Sequence, residues 1–274
     1  NSPTIFVFAG GSLGPSPLSS LDKGSHIIDI LNTLEPDLMT LSKQDFSYFE
    51  DELTLRSYEA AFPIVSSNLY DPLVEGNLEG ILSTLIVEKD DVKIGFISIL
   101  DKDVIDQYLL KRVKVFEPQQ VIQQQITTLK KQGADFVVLV YGEEEAYYQP
   151  LISDKKIDFA LRIRSTSEDG VTQAPTDKVY TISRKDPVNL LHISWDPTNP
   201  ATSLNITTTK TFDSQLPSHP TTTLLIDEYN QRLNRLLNQS IGFFGIEMHS
   251  TKELMRTREM PFGNFVADAL RDYA

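Results

Sequence analysis

Cationic side chains follow two apolar runs of the chain, and both positions could bind an anion. Residues 38–49 read LMTLSKQDFSYF, which predicts a short strand, a polar turn containing Lys43, and the start of a helix. A second apolar run, at residues 157–161, is followed by Arg162 and Arg164. Loops after the carboxyl ends of strands converge at one end of a sheet, so the three cations could form a metal-free anion pocket for phosphate or sulfate. The alternative is that they pair with carboxylates of the chain itself.

A loop rich in glycine, serine and proline, residues 9–20, lies between the first strand and the first helix. Because it leads toward a helix N-terminus, its backbone amides could cradle a phosphate. The alternative is that the glycines serve backbone geometry alone. Asp45 also has a structural role available, because a turn that opens a helix favours a capping acid.

Composition excludes several classes of protein. The chain has 274 residues and a net charge of −13, which argues against a nucleic-acid partner, because phosphates need a basic surface. No apolar run approaches the roughly 20 residues of a membrane span, and no signal peptide opens the sequence. The chain contains no cysteine, which excludes disulfides and thiolate metal sites but leaves the compartment open.

Strands alternate with helices along most of the chain, and strands dominate after residue 178. Helical spacing or a first-turn proline predicts helices at residues 23–34, 49–61, 118–132, 224–237 and 261–273. Apolar runs predict strands at residues 4–8, 38–41, 64–67, 136–140, 157–161, 178–183, 189–195, 203–211 and 241–246. Residues 81–87 and 92–99 flank a Lys-Asp-Asp turn and predict a hairpin.

Four motifs, in order, resemble those of the 5'-nucleotidases of the calcineurin-like metallophosphoesterase superfamily. The loop Gly10–Ser19 is similar to Gly-Asp-x-x-x-Gly-Ser-x-x-Ser of that family, and Gly24 to Asn32 is similar to the helix that follows it. Residues 62–68, FPIVSSN, resemble Phe-Pro-x-x-x-x-Asn. Residues 255–274, MRTREMPFGNFVADALRDYA, resemble the family's Arg-x-x-Glu-x-x-x-Gly-Asn-x-x-x-Asp-Ala segment, which begins its C-terminal domain.

The resemblance implies an α/β fold: a four-layer α-β-β-α sandwich with two mixed sheets inside. We expect this phosphoesterase-like domain over residues 1–215, without the family's first strand. A linker and hinge helix should occupy residues 216–238, and residues 239–274 should begin a truncated C-terminal-type domain. The residues themselves also support buried sheets, because the strand runs show too little polar alternation to be half exposed.

The same resemblance implies a site for two divalent metals, and this sequence lacks its ligands. The bridging Asp of the family falls on Gly11, the metal-binding Asn on Lys43, and the catalytic His on Gln44. A histidine expected after strand 136–140 falls near Tyr141, and the Gly-His-x-His turn falls on residues 162–165, with Ile163 and Ser165 among them. Two dications need several carboxylates and imidazoles around them, so we expect no metal cofactor here.

Two hypotheses for function follow. In the first, the chain is an inactive 5'-nucleotidase-like protein that acts as a binding or structural module, with protein partners and a place in a larger assembly. In the second, it is a metal-dependent phosphohydrolase acting on nucleotides, with shifted loops or ligands supplied by a partner. The resemblance leans toward an extracytoplasmic location.

Overall fold

The computed structural model describes residues 3–142, 148–154, 156–164, 178–183, 190–194, 205–209, 217–240 and 242–273. The chain falls into two compact units, Asn1–Asn230 and Gln231–Ala274. In chain order the elements are β1 (Val7–Phe8), α1 (Ser19–Asp22), α2 (Ser25–Leu34), β2 (Leu38–Thr40), a 3₁₀ turn (Lys43–Phe46), α3 (Phe49–Glu59), β3 (Ile64–Val65), β4 (Leu69–Tyr70), β5 (Ile81–Leu82), β6 (Leu85–Lys89), β7 (Val92–Ile99), α4 (Val104–Gln107), β8 (Lys114–Val115), α5 (Pro118–Lys131), β9 (Phe136–Tyr141), α6 (Tyr148–Ser153), β10 (Phe159–Arg164), β11 (Val179–Ser183), β12 (Leu190–Ser194), β13 (Asn205–Thr209), α7 (Pro220–Leu237), α8 (Lys252–Thr257) and α9 (Pro261–Tyr273).

Two larger sheets form the centre of the first unit. One has the strand order β1-β2-β3-β5 with every pair parallel. The other has the order β11-β10-β9-β7-β6, in which only the β6–β7 pair is antiparallel. Parallel strands need crossover connections, and the helices between them supply the outer layers. The carboxyl ends of β1, β2 and β3 therefore lie along one edge of the first sheet, and those of β7, β9 and β10 along one edge of the second.

Three clusters of buried side chains show that the layers stack as α-β-β-α. One cluster joins the first sheet to α2 and α3, and another joins the second sheet to α5 and α6. The third lies between the sheets, where Leu38 and Val65 of the first face Phe96 and Val138 of the second. The four-layer α/β sandwich predicted from the sequence is confirmed, but only the second of its sheets is mixed, because every described pair of the first is parallel.

Strand β9 shows why this arrangement was visible in the sequence. Phe136, Val138 and Val140 point into the cluster between the sheets, and Val137 and Leu139 point toward the helices. Every residue of the strand is buried. A strand covered on both faces needs apolar residues at every position, which gives a continuous apolar run rather than alternation.

Two strands were not predicted correctly. The single strand predicted over residues 81–87 is absent: β5 pairs with β3 in the first sheet, whereas β6 and β7 form the predicted hairpin in the second. A continuous apolar run cannot show where a chain crosses between sheets. The strand predicted at residues 241–246 is also absent from the described part, residues 242–246, where Phe243 is 97% exposed.

The second unit has few buried side chains. Helix α9 contains no buried residue, and its Phe265 packs edge-on against Phe244 with ring centres 5.0 Å apart. Its apolar residues recur at helical spacing, yet Leu270 is 65% exposed. In the described part of the chain, no helix combines the length and apolar character needed to cross a membrane.

Strands β4 and β8 form a two-stranded sheet, and ion pairs of Arg112 connect it to α3. The Arg112 guanidinium donates to Asp71 Oδ2 from Nε at 2.9 Å and from Nη2 at 2.7 Å, and it also contacts Asp51. The Asp71 side chain is fully buried, whereas that of Asp51 is 88% exposed. The hydrogen bonds from Arg112 hold the pKa of Asp71 below its ordinary value, although burial opposes the shift.

Replacing Asp71 with asparagine should lower the free energy of unfolding by about 2–3 kcal/mol at pH 7, because Arg112 then loses its buried partner. A depressed pKa in the folded state means that the ion pair stabilises the protein above the ordinary pKa of aspartate. This stabilisation disappears as the pH falls through the lower folded pKa. The difference between wild type and Asp71→Asn should therefore narrow below about pH 4. Urea unfolding of both proteins at a series of pH values measures this difference in the free energy of unfolding.

Asp51→Asn is the matched control, because Asp51 pairs with the same guanidinium from an exposed position. It should cost at most about 1 kcal/mol at any pH. If the two variants lose the same free energy of unfolding, burial of Asp71 does not strengthen its ion pair with Arg112.

Candidate functional site

The carboxyl ends of the two sheets are tied together by hydrogen bonds. The Ser67 amide donates to the carbonyl oxygen of Ser98 at 2.7 Å, and the Ser98 amide donates to Ser67 Oγ at 3.0 Å. One step further along, the Asn68 side chain exchanges two hydrogen bonds, each 2.9 Å, with the backbone of Leu100. The loops that leave β3 and β7 therefore meet at this end, which is where the predicted site residues should lie.

The glycine-rich loop directs three of its central amides at a carboxylate of the chain itself rather than at a phosphate. Its amides point at the Asp45 carboxylate: Gly11 N lies 2.8 Å from Oδ2, and Ser12 N and Leu13 N lie 3.1 and 3.2 Å from Oδ1. The Ser42 amide adds a fourth donor at 2.9 Å from Oδ2. An internal carboxylate thus occupies the anion-binding nest of the loop.

Asp45 is more than a capping acid. Its side chain lies in the buried centre of the turn, at 3% exposure, and joins the loop after β1 to the turn after β2. Burial raises the pKa of the Asp45 carboxyl above its ordinary value, and the four backbone N–H donors counter part of that rise by stabilising the carboxylate. The sequence indicated the cap but not the three loop amides.

Lys43 has a carboxylate partner inside the chain. Its Nζ lies 3.3 Å from Asp103 Oδ2, and the Gln107 side chain donates to the same oxygen. The two charged side chains are partly exposed, at 21% and 33%. This pair joins the turn after β2 to the loop after β7. The salt bridge, one of the two alternatives for Lys43, is present in the structure.

Sequence reasoning missed the partner of Lys43. Asp103 stands at the N-cap position of α4, where an acidic residue would ordinarily cap the helix. Its carboxylate makes no capping hydrogen bond, however, and turns to Lys43 instead. The sequence does place Asp103 in the polar run directly after β7. Because β2 and β7 both finish at this end of the sheets, that position could have indicated a partner for Lys43.

Gln44 is held by its own turn. Its Oε1 accepts a hydrogen bond from Ser42 Oγ at 2.9 Å, and its carbonyl oxygen accepts one from Ser47 Oγ at 2.6 Å. A glutamine at this position can orient a neighbour through hydrogen bonds, but its amide has no basic nitrogen to exchange a proton. Gly11, whose amide donates to Asp45 of the same turn, adopts a left-handed φ of 78°.

Tyr141 and Arg162 lie side by side at the ends of β9 and β10, where they are register partners. The Tyr141 side chain belongs to the cluster under α6, with its ring centre 4.5 Å from that of Tyr148. Ile163 packs in the cluster between the sheets. Strand alternation therefore places Arg162 on the helix-facing side of β10 with Tyr141. Arg164 ends β10, and Ser165 lies outside the described residues.

The four histidines of the chain are spread over the fold. His26 is buried on α2 and pairs with Asp22 at 2.9 Å, His192 lies in β12, and His219 contacts Thr222. His249 is exposed in the second unit. Within the described residues, no group of three or more His, Asp or Glu side chains is arranged to hold a metal ion.

Solved structures show which fold this is. A calcineurin-like phosphoesterase, YfkN, from Bacillus subtilis matches 86% of this chain and 85% of its own at 20% identity, with a TM-score of 0.67. A 5'-nucleotidase precursor from Thermus thermophilus matches 97% of this chain at 16% identity, with a TM-score of 0.69. The chain has the calcineurin-like phosphoesterase fold.

The match to the nucleotidases covers only part of those proteins. This chain spans 57% of the Thermus enzyme and 52% of the NAD nucleotidase from Haemophilus influenzae, which it matches at 14% identity and a TM-score of 0.63. No protein-family profile matches the sequence, and no curated protein is similar enough to count as a relative.

Proposed function

We propose that this chain is a catalytically inactive member of the phosphoesterase fold that acts as a protein-binding or structural module. The observation that carries the proposal is the Lys43–Asp103 ion pair, 3.3 Å long, at the turn where the sequence resemblance implies a metal-binding asparagine. A fixed ammonium group repels a divalent cation, and pairing with Asp103 removes a carboxylate that could have bound one.

The loop after β1 supports the same proposal. Where the resemblance implies a bridging carboxylate, Gly11 has no side chain, and its amide is committed to Asp45. A two-metal phosphohydrolase needs a bridging ligand to hold two cations about 4 Å apart. The Asp45 carboxylate, which bonds to this loop, is buried and already accepts four hydrogen bonds.

The kind of partner follows from charge. With 38 acidic and 25 basic residues, the surface is unsuited to nucleic acid, so we propose a protein partner. Because Lys43 is already paired, a small anion at this end of the sheets would have to compete with Asp103 for it.

Restoring three implied active-site residues, Gly11→Asp, Lys43→Asn and Gln44→His, should not produce hydrolysis. The variant would still lack histidines at Tyr141 and along residues 162–165, so two metals would remain incompletely bound. Phosphate release from AMP in the presence of Mn²⁺, followed for wild type and variant together, should stay at the rate of the buffer blank. A Mn²⁺-dependent rate that EDTA abolishes would contradict this prediction.

The wild-type protein tests the proposal itself. Metal analysis after dialysis against Mn²⁺ should find no metal at the level of the protein concentration, and calorimetry should detect no Mn²⁺ binding. The same two measurements are made on Lys43→Gln, which lacks the ammonium group in the turn after β2. Its control is Lys131→Gln, at the exposed end of α5. Two equivalents of bound metal together with AMP hydrolysis would establish the alternative, a nucleotide phosphohydrolase.

A further inference from the structure

Helix α7 contacts the body of the first unit through a narrow polar seam. Of its 18 residues, only Thr222 is buried. Leu225 and Tyr229 are half buried on the same face, and Leu224 beside them is 65% exposed. A helix that is part of a domain core normally buries a stripe of apolar residues, as α5 does with Ile122, Ile126 and Leu129.

The seam pairs α7 with α2 in antiparallel register. Near the start of α7, Thr222 Oγ1 lies 2.8 Å from Oγ1 of Thr33, which is near the end of α2. Two turns further along α7, the Tyr229 hydroxyl donates to the Asp29 carboxylate, one turn earlier in α2. The Tyr229 ring also lies 5.7 Å from the imidazole of His26.

The α2 side of this seam is fixed independently of α7. Ile28 and Leu31 anchor α2 in the sandwich at 0% and 3% exposure. Asp22 holds the His26 ring by contacts of 2.9 and 3.0 Å to Nδ1, and it also caps the first turn of α2. Removing α7 would therefore expose a polar helix face and leave the four layers intact.

We propose that residues 220–230 form a detachable strap, which leaves α2 and returns to it while the sandwich stays folded. The polar seam provides the register, and the small buried apolar area makes opening easier than unfolding. The proposal is independent of what binds at the carboxyl ends of the sheets.

The absence of cysteine from the chain permits a direct test. In the variant Thr222→Cys, the single thiol is shielded only while the strap is docked. Its control is Thr40→Cys, at a position in β2 with 0% exposure. We expect a thiol reagent to label residue 222 at least about tenfold faster than residue 40, with a much weaker dependence on urea, because strap opening exposes little surface.

A second variant tests the seam without relying on a shielded thiol. Adding Tyr229→Phe to Thr222→Cys should speed labelling severalfold, whereas adding it to Thr40→Cys should have no effect. In Thr33→Cys/Thr222→Cys, the oxidised disulfide should slow amide hydrogen exchange of residues 223–230 about tenfold, and reduction should reverse this. Equal labelling rates and urea dependences at residues 222 and 40, or exchange unchanged by the disulfide, would overturn the proposal.

Discussion

Replacing Gly10 with alanine is expected to destabilise the fold by about 4 kcal/mol or more, and replacing Gly133 with alanine by only about 1–2 kcal/mol. Both glycines have left-handed φ angles, 72° and 85°, so the backbone strain of an added side chain is similar. They differ in the space around them. A methyl group at Gly10 would lie 2.3 Å from the Thr40 carbonyl oxygen, and one at Gly133 would have no atom within 4 Å.

The clash at Gly10 cannot be relieved by a small movement. Thr40 is the last residue of β2, a central strand with parallel neighbours on both sides. The added methyl group would also lie 2.8 Å from Asp45 Oδ2, the oxygen that holds the loop to the turn. Gly133 instead follows α5, where its amide and that of Ala134 bond to the last turn of the helix.

Urea unfolding followed by circular dichroism measures both losses, and equal slopes would show that the folded states are equally compact. A Gly10→Ala variant as stable as Gly133→Ala would mean that the contact with Thr40 is not rigid. The tight approach of Gly10 to β2 was not visible in the sequence.

The strands and helices that could be predicted are those with one dominant physical signal. Helix α9 was predicted with its exact bounds, because a first-turn proline and a regular apolar spacing agree. Strands β7 and β9 were predicted from apolar runs within one residue. Short elements such as β4 and β8 were missed, because two residues contain no period. The Arg112–Asp71 contact beside them joins residues that are 41 positions apart, which a local pattern cannot show.

At the candidate site, the sequence predicts which ligands of the family are replaced, but not which contacts the residues in their place make. That the metal ligands are missing stays a prediction from the residues at Gly11, Lys43 and Gln44. The partner of Lys43 could not be predicted, because Asp103 is 60 residues away and reaches it only through the packing of two sheets. The sequence grouped the arginines with Lys43. In the structure, Arg162 lies beside Tyr141 on the helix-facing side of β10.

Two ionic groups at this end of the sheets have partners within the chain. Asp45 accepts hydrogen bonds from four backbone amides, and Lys43 pairs with Asp103. These contacts join the loops that leave β1, β2 and β7.

Asp45→Asn should therefore be among the most damaging single changes in the first unit, although the two side chains have nearly the same shape. Each carboxylate oxygen of Asp45 accepts two backbone amides, Gly11 and Ser42 at Oδ2, and Ser12 and Leu13 at Oδ1. An asparagine has one acceptor oxygen, so in either orientation its NH₂ group faces two N–H donors. Two buried amides left unsatisfied cost about 1–3 kcal/mol each, which gives an expected loss of about 3–5 kcal/mol.

The shape and the charge of Asp45 can be separated by a second variant and an added anion. Asp45→Ala should be similarly unstable, but it leaves a cavity lined by the four amides, which formate can enter. Sodium formate should therefore raise the urea midpoint of Asp45→Ala above that in sodium chloride of equal ionic strength. It should not do so for Asp45→Asn, whose amide fills the space. Asp106→Asn, on the exposed side of α4, should change stability by less than about 0.5 kcal/mol in either salt. If Asp45→Asn proves as mild as Asp106→Asn, the four amides do not depend on the carboxylate, and the turn is held by its apolar neighbours alone.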